Sequence, residues 1–185
     1  MDHADHVALI RAGVEGPGRR WLELGAGRGA FTLALAELLG TGGQIDAVDR
    51  NPGDLRALAS DMAARFPDTG LRTIVADFDR PLDLERGSCD GLLAANSLHF
   101  VRDPGAVLGR LLPFLRPGAR IVVVEYDSDA GNPWVPHPFS FRSWERIAAA
   151  AGLQETRLIG RVPSRFLGAI YAAASELPAA ATNTD

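Results

Sequence analysis

The stretch Glu23-Leu24-Gly25-Ala26-Gly27-Arg28-Gly29-Ala30 is the densest chemical signal in the sequence. Glycines spaced in this way allow a tight turn and let a ligand approach the backbone, while a helix that follows points its N-terminus at the same place. Gly25, Gly27 and Ala30 fit the G-x-G-x-x-G/A spacing of a dinucleotide loop, a pattern that by itself leaves two cofactor classes open. Charge separates them. A dinucleotide brings an anionic pyrophosphate, and the Glu23 carboxylate just before the loop would repel it.

Glu23 suits a ligand that carries an ammonium group and no phosphate, and S-adenosylmethionine is such a ligand. Read structurally, the same carboxylate accepts backbone N–H bonds and fixes the loop, a role compatible with the first. Asp49 lies 20 residues beyond Gly29, where an acidic side chain accepts both hydroxyls of a ribose. That feature serves NAD and S-adenosylmethionine equally. Its other reading, as the cap of a following helix, is weakened by Asn51-Pro52, which already make that start. Asp77 can accept from an adenine amino group, with Phe78 either against the ring or in the core.

A second set of residues points to the acceptor of a reaction. His99 follows the fourth strand, at the edge where ligands bind in such sheets, and is read either as a base for a hydroxyl or as a packed, hydrogen-bonded histidine. Glu125, Tyr126, Asp127 and Asp129 cluster beyond the fifth strand, to orient a substrate or to solvate a loop. The segment Asn132-Pro133-Trp134-Val135-Pro136-His137-Pro138-Phe139 is stiffened by three prolines. Trp134, His137 and Phe139 offer a wall for a flat or hydrophobic substrate, or else close the core or a dimer contact. The four histidines show no metal-ligand spacing. Cys89, at a strand start, is expected in the core rather than as a reactive thiol.

These residues need a scaffold, and the pattern supplies one. A short helix end over Val7–Ala12 precedes strands at Trp21–Leu24, Gln44–Val48, Arg72–Ala76, Asp90–Ala95 and Arg120–Glu125. Helices are expected at Ala30–Leu39, Pro52–Arg65, Pro104–Leu115 and Ser140–Ala151. Two closing β segments, near Glu155–Ile159 and Phe166–Ala172, are joined by a short turn and therefore form an antiparallel hairpin. Alternating strands and helices imply an α/β, Rossmann-like doubly wound, mostly parallel sheet. One domain over residues 1–175 is expected, with 176–185 a disordered tail.

Composition narrows the function. All 19 basic residues are arginine, so Schiff-base chemistry, a P-loop lysine and the Tyr-Lys pair of short-chain dehydrogenases are excluded. Net charge is −4, which argues against nucleic acid as the obligatory partner. The arginines at 142, 146, 157, 161 and 165 read as a solvated face with pairs such as Arg142 to Glu145, or as a site for an anionic substrate. A lone cysteine, an acidic N-terminus and no apolar run of membrane-spanning length favour the cytosol.

With these residues in hand, the chain resembles the class I methyltransferases, specifically the small type 11 group. WLELGAGRGAFT resembles the first motif, IDAVDR the second-strand acidic motif and IVADFDRPLD the adenine loop. CDGLLAANSLHFVRDP and LLPFLRPGARIVVVEY resemble the segments around the fourth and fifth strands. The resemblance implies a seven-stranded sheet whose last strand is antiparallel. It also implies that Glu23, Gly25, Ala26, Gly27 and Gly29 border the methionine part of S-adenosylmethionine. Asp49 with Arg50 would meet the ribose, Asp77 with Phe78 the adenine, and the backbone of Ala95 and Asn96 the amino group and sulfonium.

Only some twenty residues precede the first motif, so an N-terminal substrate lid is expected to be short or absent. The segment NSLH differs from the Asn/Asp-Pro-Pro-aromatic motif of amino-methylating relatives, which favours a small-molecule acceptor. The expected state is a monomer or homodimer. Two other functions stay open at this level: an NAD(P)-dependent oxidoreductase, and a non-catalytic partner subunit that keeps the fold.

Overall fold

The computed structural model describes residues 1–14, 16 and 18–179. Helix α1 (His3–Val14) opens the chain. Asp2 and Asp5 exchange backbone-to-carboxylate hydrogen bonds of 2.9 Å each, a reciprocal cap that carries the helix back beyond the Val7 expected from its apolar residues. Then follow β1 (Arg20–Leu24), α2 (Ala30–Leu39), β2 (Gln44–Asp49), α3 (Pro52–Arg65), β3 (Gly70–Val75) and β4 (Cys89–Ala95). After a short 3-10 turn at Leu98–Phe100 come α4 (Pro104–Leu111), β5 (Leu115–Tyr126), α5 (Phe141–Ala150), β6 (Gln154–Ser164) and β7 (Gly168–Glu176).

Among the described residues the strands form one seven-stranded sheet in the order β3-β2-β1-β4-β5-β7-β6. β7 runs antiparallel to β5 and β6, and every other pairing is parallel. The two closing β segments are a hairpin; β6 runs on to Ser164, past the expected Ile159, and β7 begins at Gly168 rather than Phe166 and continues to Glu176. The end of the sheet reaches past residue 175, since the Gly118 N–H donates to the Leu177 and Pro178 carbonyls at 3.0 and 3.3 Å. Of the expected tail, residues 180–185 lie outside the described residues.

The strands' inner residues alternate between two cores. Trp21, Ile45, Leu93, Val122 and Val124 face α1, α2 and α3. Leu22, Leu24, Leu92, Ile121 and Val123 face α4 and α5, against Val107, Leu108 and Trp144. Chain direction reverses its side of the sheet between β1 and β4, so the loops that leave their carboxyl ends diverge and open a crevice.

Candidate functional site

The crevice is built on the turn after β1. Gly25 has φ +67° and its N–H donates to the Val48 carbonyl at 2.8 Å, which ties the turn to β2. A Cβ added at Gly25 would lie 2.5 Å from Ser97 Cβ, so only glycine lets this turn approach the end of β4. At Gly27, also left-handed at φ +52°, an added Cβ meets nothing within 4 Å. Gly27 does not line the cleft, but its N–H donates to Asp49 Oδ2 at 2.8 Å, while Asp49 Oδ1 accepts the Asn51 N–H at 2.8 Å. Asn51 is the cap of α3, accepting from Gly53 and Asp54, which leaves Asp49 free of that duty.

A cleft of about 380 Å³ opens at this point. Of the residues expected to bind a cofactor, Gly25, Asp49, Arg50, Asp77, Phe78 and Asn96 line it. Ala26 and Ala95, each 8% exposed, do not line it, and Gly29 is the left-handed cap of α2. Asn51, Asp54, Ala76, Asp79, Ser97, Phe100 and Val101 complete the wall and were not singled out as site residues by sequence. Ser97 and Phe100 sit within the NSLHF segment already read as an edge loop, and Asp54 occupies the first turn of a capped helix.

Beneath the turn lies Glu23, 2% exposed, with no hydrogen-bond partner for Oε2. Burial pushes its carboxyl up to about 7; the neighbouring Thr32 hydroxyl pulls it back and the charge of Asp49 adds to the rise. Asn96 Oδ1 and Ser97 Oγ, both from residues of the cleft wall, are likewise buried and unpartnered. Asn96 holds φ +50°, rare for a residue with a side chain and typical of strained functional positions. Buried acceptors without donors are costly, and these fit a ligand that brings donors and positive charge.

The acceptor-side residues are arranged otherwise. His99 is buried beside Glu125, with Nδ1 2.7 Å from Oε2, and its ring packs on Phe100 at 4.2 Å and Tyr126 at 5.6 Å. Neither His99 nor Tyr126 lines the cleft; Phe100, which does, covers His99. Phe139 is 5% exposed and packs on Trp144, with ring centroids 6.1 Å apart, while it also lines the shallow cavity that holds His137.

Trp134 stays 72% exposed, and His137 lines a separate shallow cavity of about 310 Å³ with Arg102 and Asp129. Asp129 is spent on the Ser140 and Ser143 end of α5. The ion pairs of the arginine-rich stretch are Arg157 with Glu176 at 3.6 Å and Arg161 with Asp127, rather than the expected Arg142 with Glu145. Cys89 is fully buried, and burial pushes its thiol up.

A family model for the methyltransferase domain matches residues 15–158. The chain belongs to the methyltransferase-domain family. The sheet order and the antiparallel β7 are those of its class I, S-adenosylmethionine-dependent branch. This methyltransferase-domain protein is 32% identical over 169 residues to a demethylmenaquinone methyltransferase of Clavibacter sepedonicus, covering 89% of this chain and 62% of that protein. It is 31% identical over 127 residues to an aklanonic acid methyltransferase of Streptomyces sp. strain C5, covering 66% and 56%. The chain thus spans about six-tenths of the length of these curated relatives.

In fold it is similar to the Burkholderia thailandensis 1,6-didemethyltoxoflavin-N1-methyltransferase, with a TM-score of 0.74 at 23% identity over 96% of this chain and 78% of that one. That structure holds 1,6-didemethyltoxoflavin and S-adenosylhomocysteine. No helix among the described residues is long and apolar enough to cross a membrane.

Proposed function

We propose that the chain transfers a methyl group from S-adenosylmethionine to a small-molecule acceptor. The observation that carries this reading is the buried Glu23, with Oε2 unpartnered, just before a left-handed glycine turn. An ammonium group supplies what Oε2 lacks, whereas a pyrophosphate in the cleft would meet the Asp49, Asp54, Asp77 and Asp79 carboxylates that line it. Asp49 and Arg50 would hold the ribose end, Asp77 and Phe78 the adenine, and Gly25, Ala95 and Asn96 the amino-acid end. When bound, the cofactor supplies a methyl group already activated on a sulfonium, so the protein's tasks are alignment, exclusion of water and, for a hydroxyl acceptor, removal of a proton.

His99 is the residue proposed for that proton, with Glu125 on its far nitrogen. Three exposed aromatic side chains support an apolar acceptor: Phe100 after β4, Trp134 after β5 and Phe166 in the β6–β7 turn, all on loops at the carboxyl edge. The named small molecules of the relatives agree with an acceptor of that size.

The test is thermal unfolding with S-adenosylmethionine, S-adenosylhomocysteine, NAD and NADP in parallel. A ligand at a hundredfold excess over its Kd adds about 2.7 kcal/mol, a rise of roughly 5–10 °C at this size. A rise with the two adenosyl compounds alone, lost in Asp49→Ala, supports the proposal. A rise with NAD alone overturns it, and no rise with any of them favours a non-catalytic relative.

A further inference from the structure

The crossover from β3 to β4 carries no helix between residues 76 and 88, although β2 and β1 separate those two strands in the sheet. A parallel crossover is usually a helix that supports itself by its own hydrogen bonds; this strap is held from outside. Phe78, Leu82 and Leu84 pack, partly buried, on the core that α4 and α5 cover. The polar tie is Arg110 of α4, whose Nη2 donates to the Asp79 carbonyl at 3.0 Å and to Asp79 Oδ1 at 2.8 Å. Its buried Nε has no acceptor among the described residues, which leaves Asp79 as the guanidinium's partner.

The tie reaches the cleft by a second step. The Asp79 N–H donates to Asp77 Oδ1 at 3.0 Å, and the Arg80 N–H to the Asp77 carbonyl at 2.9 Å. One carboxylate oxygen of Asp77 is thus used inside the turn, and the other is left for a donor in the cleft that Asp77, Phe78 and Asp79 line. Arg110 itself does not line the cleft.

We infer that Arg110 is a positioning residue for the cofactor's base: by pinning Asp79 it sets the Asp77–Arg80 turn, and with it the aim of the free Asp77 oxygen at the amino group of adenine. This rests on the reading of Asp77 as the adenine acceptor. The preference of the cleft for adenine then depends on a side chain outside it. With Arg110 36% and Asp79 54% exposed, the pair is partly screened and its effect is modest.

Calorimetry on the full chain compares S-adenosylhomocysteine with its deamino analogue, in which purine replaces adenine. The wild type should favour the adenine compound by about tenfold, the worth of one hydrogen bond to a charged group. Arg110→Met keeps a long unbranched stem on the helix. It should weaken S-adenosylhomocysteine by about fivefold and leave the analogue within about twofold of its wild-type affinity. Arg110→Lys, with one ammonium in reach of the same oxygens, should restore part of the preference.

Equal weakening of both compounds in Arg110→Met is the mark of a merely structural role and overturns the inference, as does an unchanged preference. If Arg110→Met does not fold, Asp79→Ala, which removes the same ion pair, decides by the same comparison. Asp77→Ala tests the adenine reading by itself. A preference that survives there takes Asp77 away from the adenine and the inference with it, whereas one lost there but kept in Arg110→Met fails Arg110 alone. Binding of neither compound to the wild type sinks the cofactor reading together with the inference.

Discussion

Glu23 ties the chemistry of the cleft to pH. Its carboxyl sits at about 7 in the folded chain against an ordinary 4.5, chiefly through burial. Between those values the folded protein holds a proton that the unfolded chain has lost, so stability falls as pH rises. The contribution is complete below the ordinary value and is gone once pH passes the folded one, a change on the order of 3 kcal/mol without ligand. Glu23→Gln should therefore match the wild type in acid and exceed it in denaturant resistance above neutrality; parallel pH curves for the two proteins would refute this.

A ligand bearing an ammonium group reverses the sign, since it needs the ionised carboxylate. S-adenosylmethionine affinity should rise through the same window with release of a proton, measured by calorimetry in buffers of differing ionisation heat. Asp49→Ala removes the acceptor of the Gly27 N–H and, in the role proposed for it, of the ribose hydroxyls, so S-adenosylhomocysteine binding should weaken by about 30-fold. An unchanged Kd would remove Asp49 from the ribose role.

Elements make the residues converge, and their packing gives opposite predictions for two glycines. Gly91 of β4 faces Trp21 of β1, and an added Cβ would lie 2.5 Å from the indole. Gly91→Ala should overpack the core and cost about 1–3 kcal/mol, read as a lower Tm. Gly109 lies in α4 with open space around it, so Gly109→Ala should raise stability by about 0.8 kcal/mol. Equal Tm changes in the two variants would contradict this account of the interior.

The strands around the glycine turn were legible because β1, β2 and β4 are short, mostly apolar runs, broken only by Glu23 in β1, Asp46 in β2 and Asp90 in β4, that end at marked turns. β5 was not read from its start. The run Leu111–Leu115 has helical spacing, but Pro113 turns it into a 3-10 step, and Leu115 already pairs with Cys89 across a bulge. The hairpin was underestimated because its edge strand β6 mixes Arg, Glu and Pro and has no clean alternation. Of the site, the carboxylates and glycines could be found by type and spacing. Contacts made 26 to 28 residues apart, such as Glu125 with the turn at Ser97–His99, leave no local signature.

At the scale of the molecule, the sheet divides its tasks about the β1–β4 boundary. Loops of β1, β2 and β3 supply most of the cleft, while those of β4, β5 and the hairpin carry the exposed aromatics. Glu23, Asn96 and Ser97 meanwhile leave oxygens buried without partners around one turn. Each such atom penalises the empty protein, and a ligand that satisfies them is in effect part of the fold. Inside a cell, small differences in stability set how often a chain is caught unfolded and degraded. The lifetime of this protein should then follow the supply of its own methyl donor: starve the cell of methionine and the chain should disappear faster than its message does.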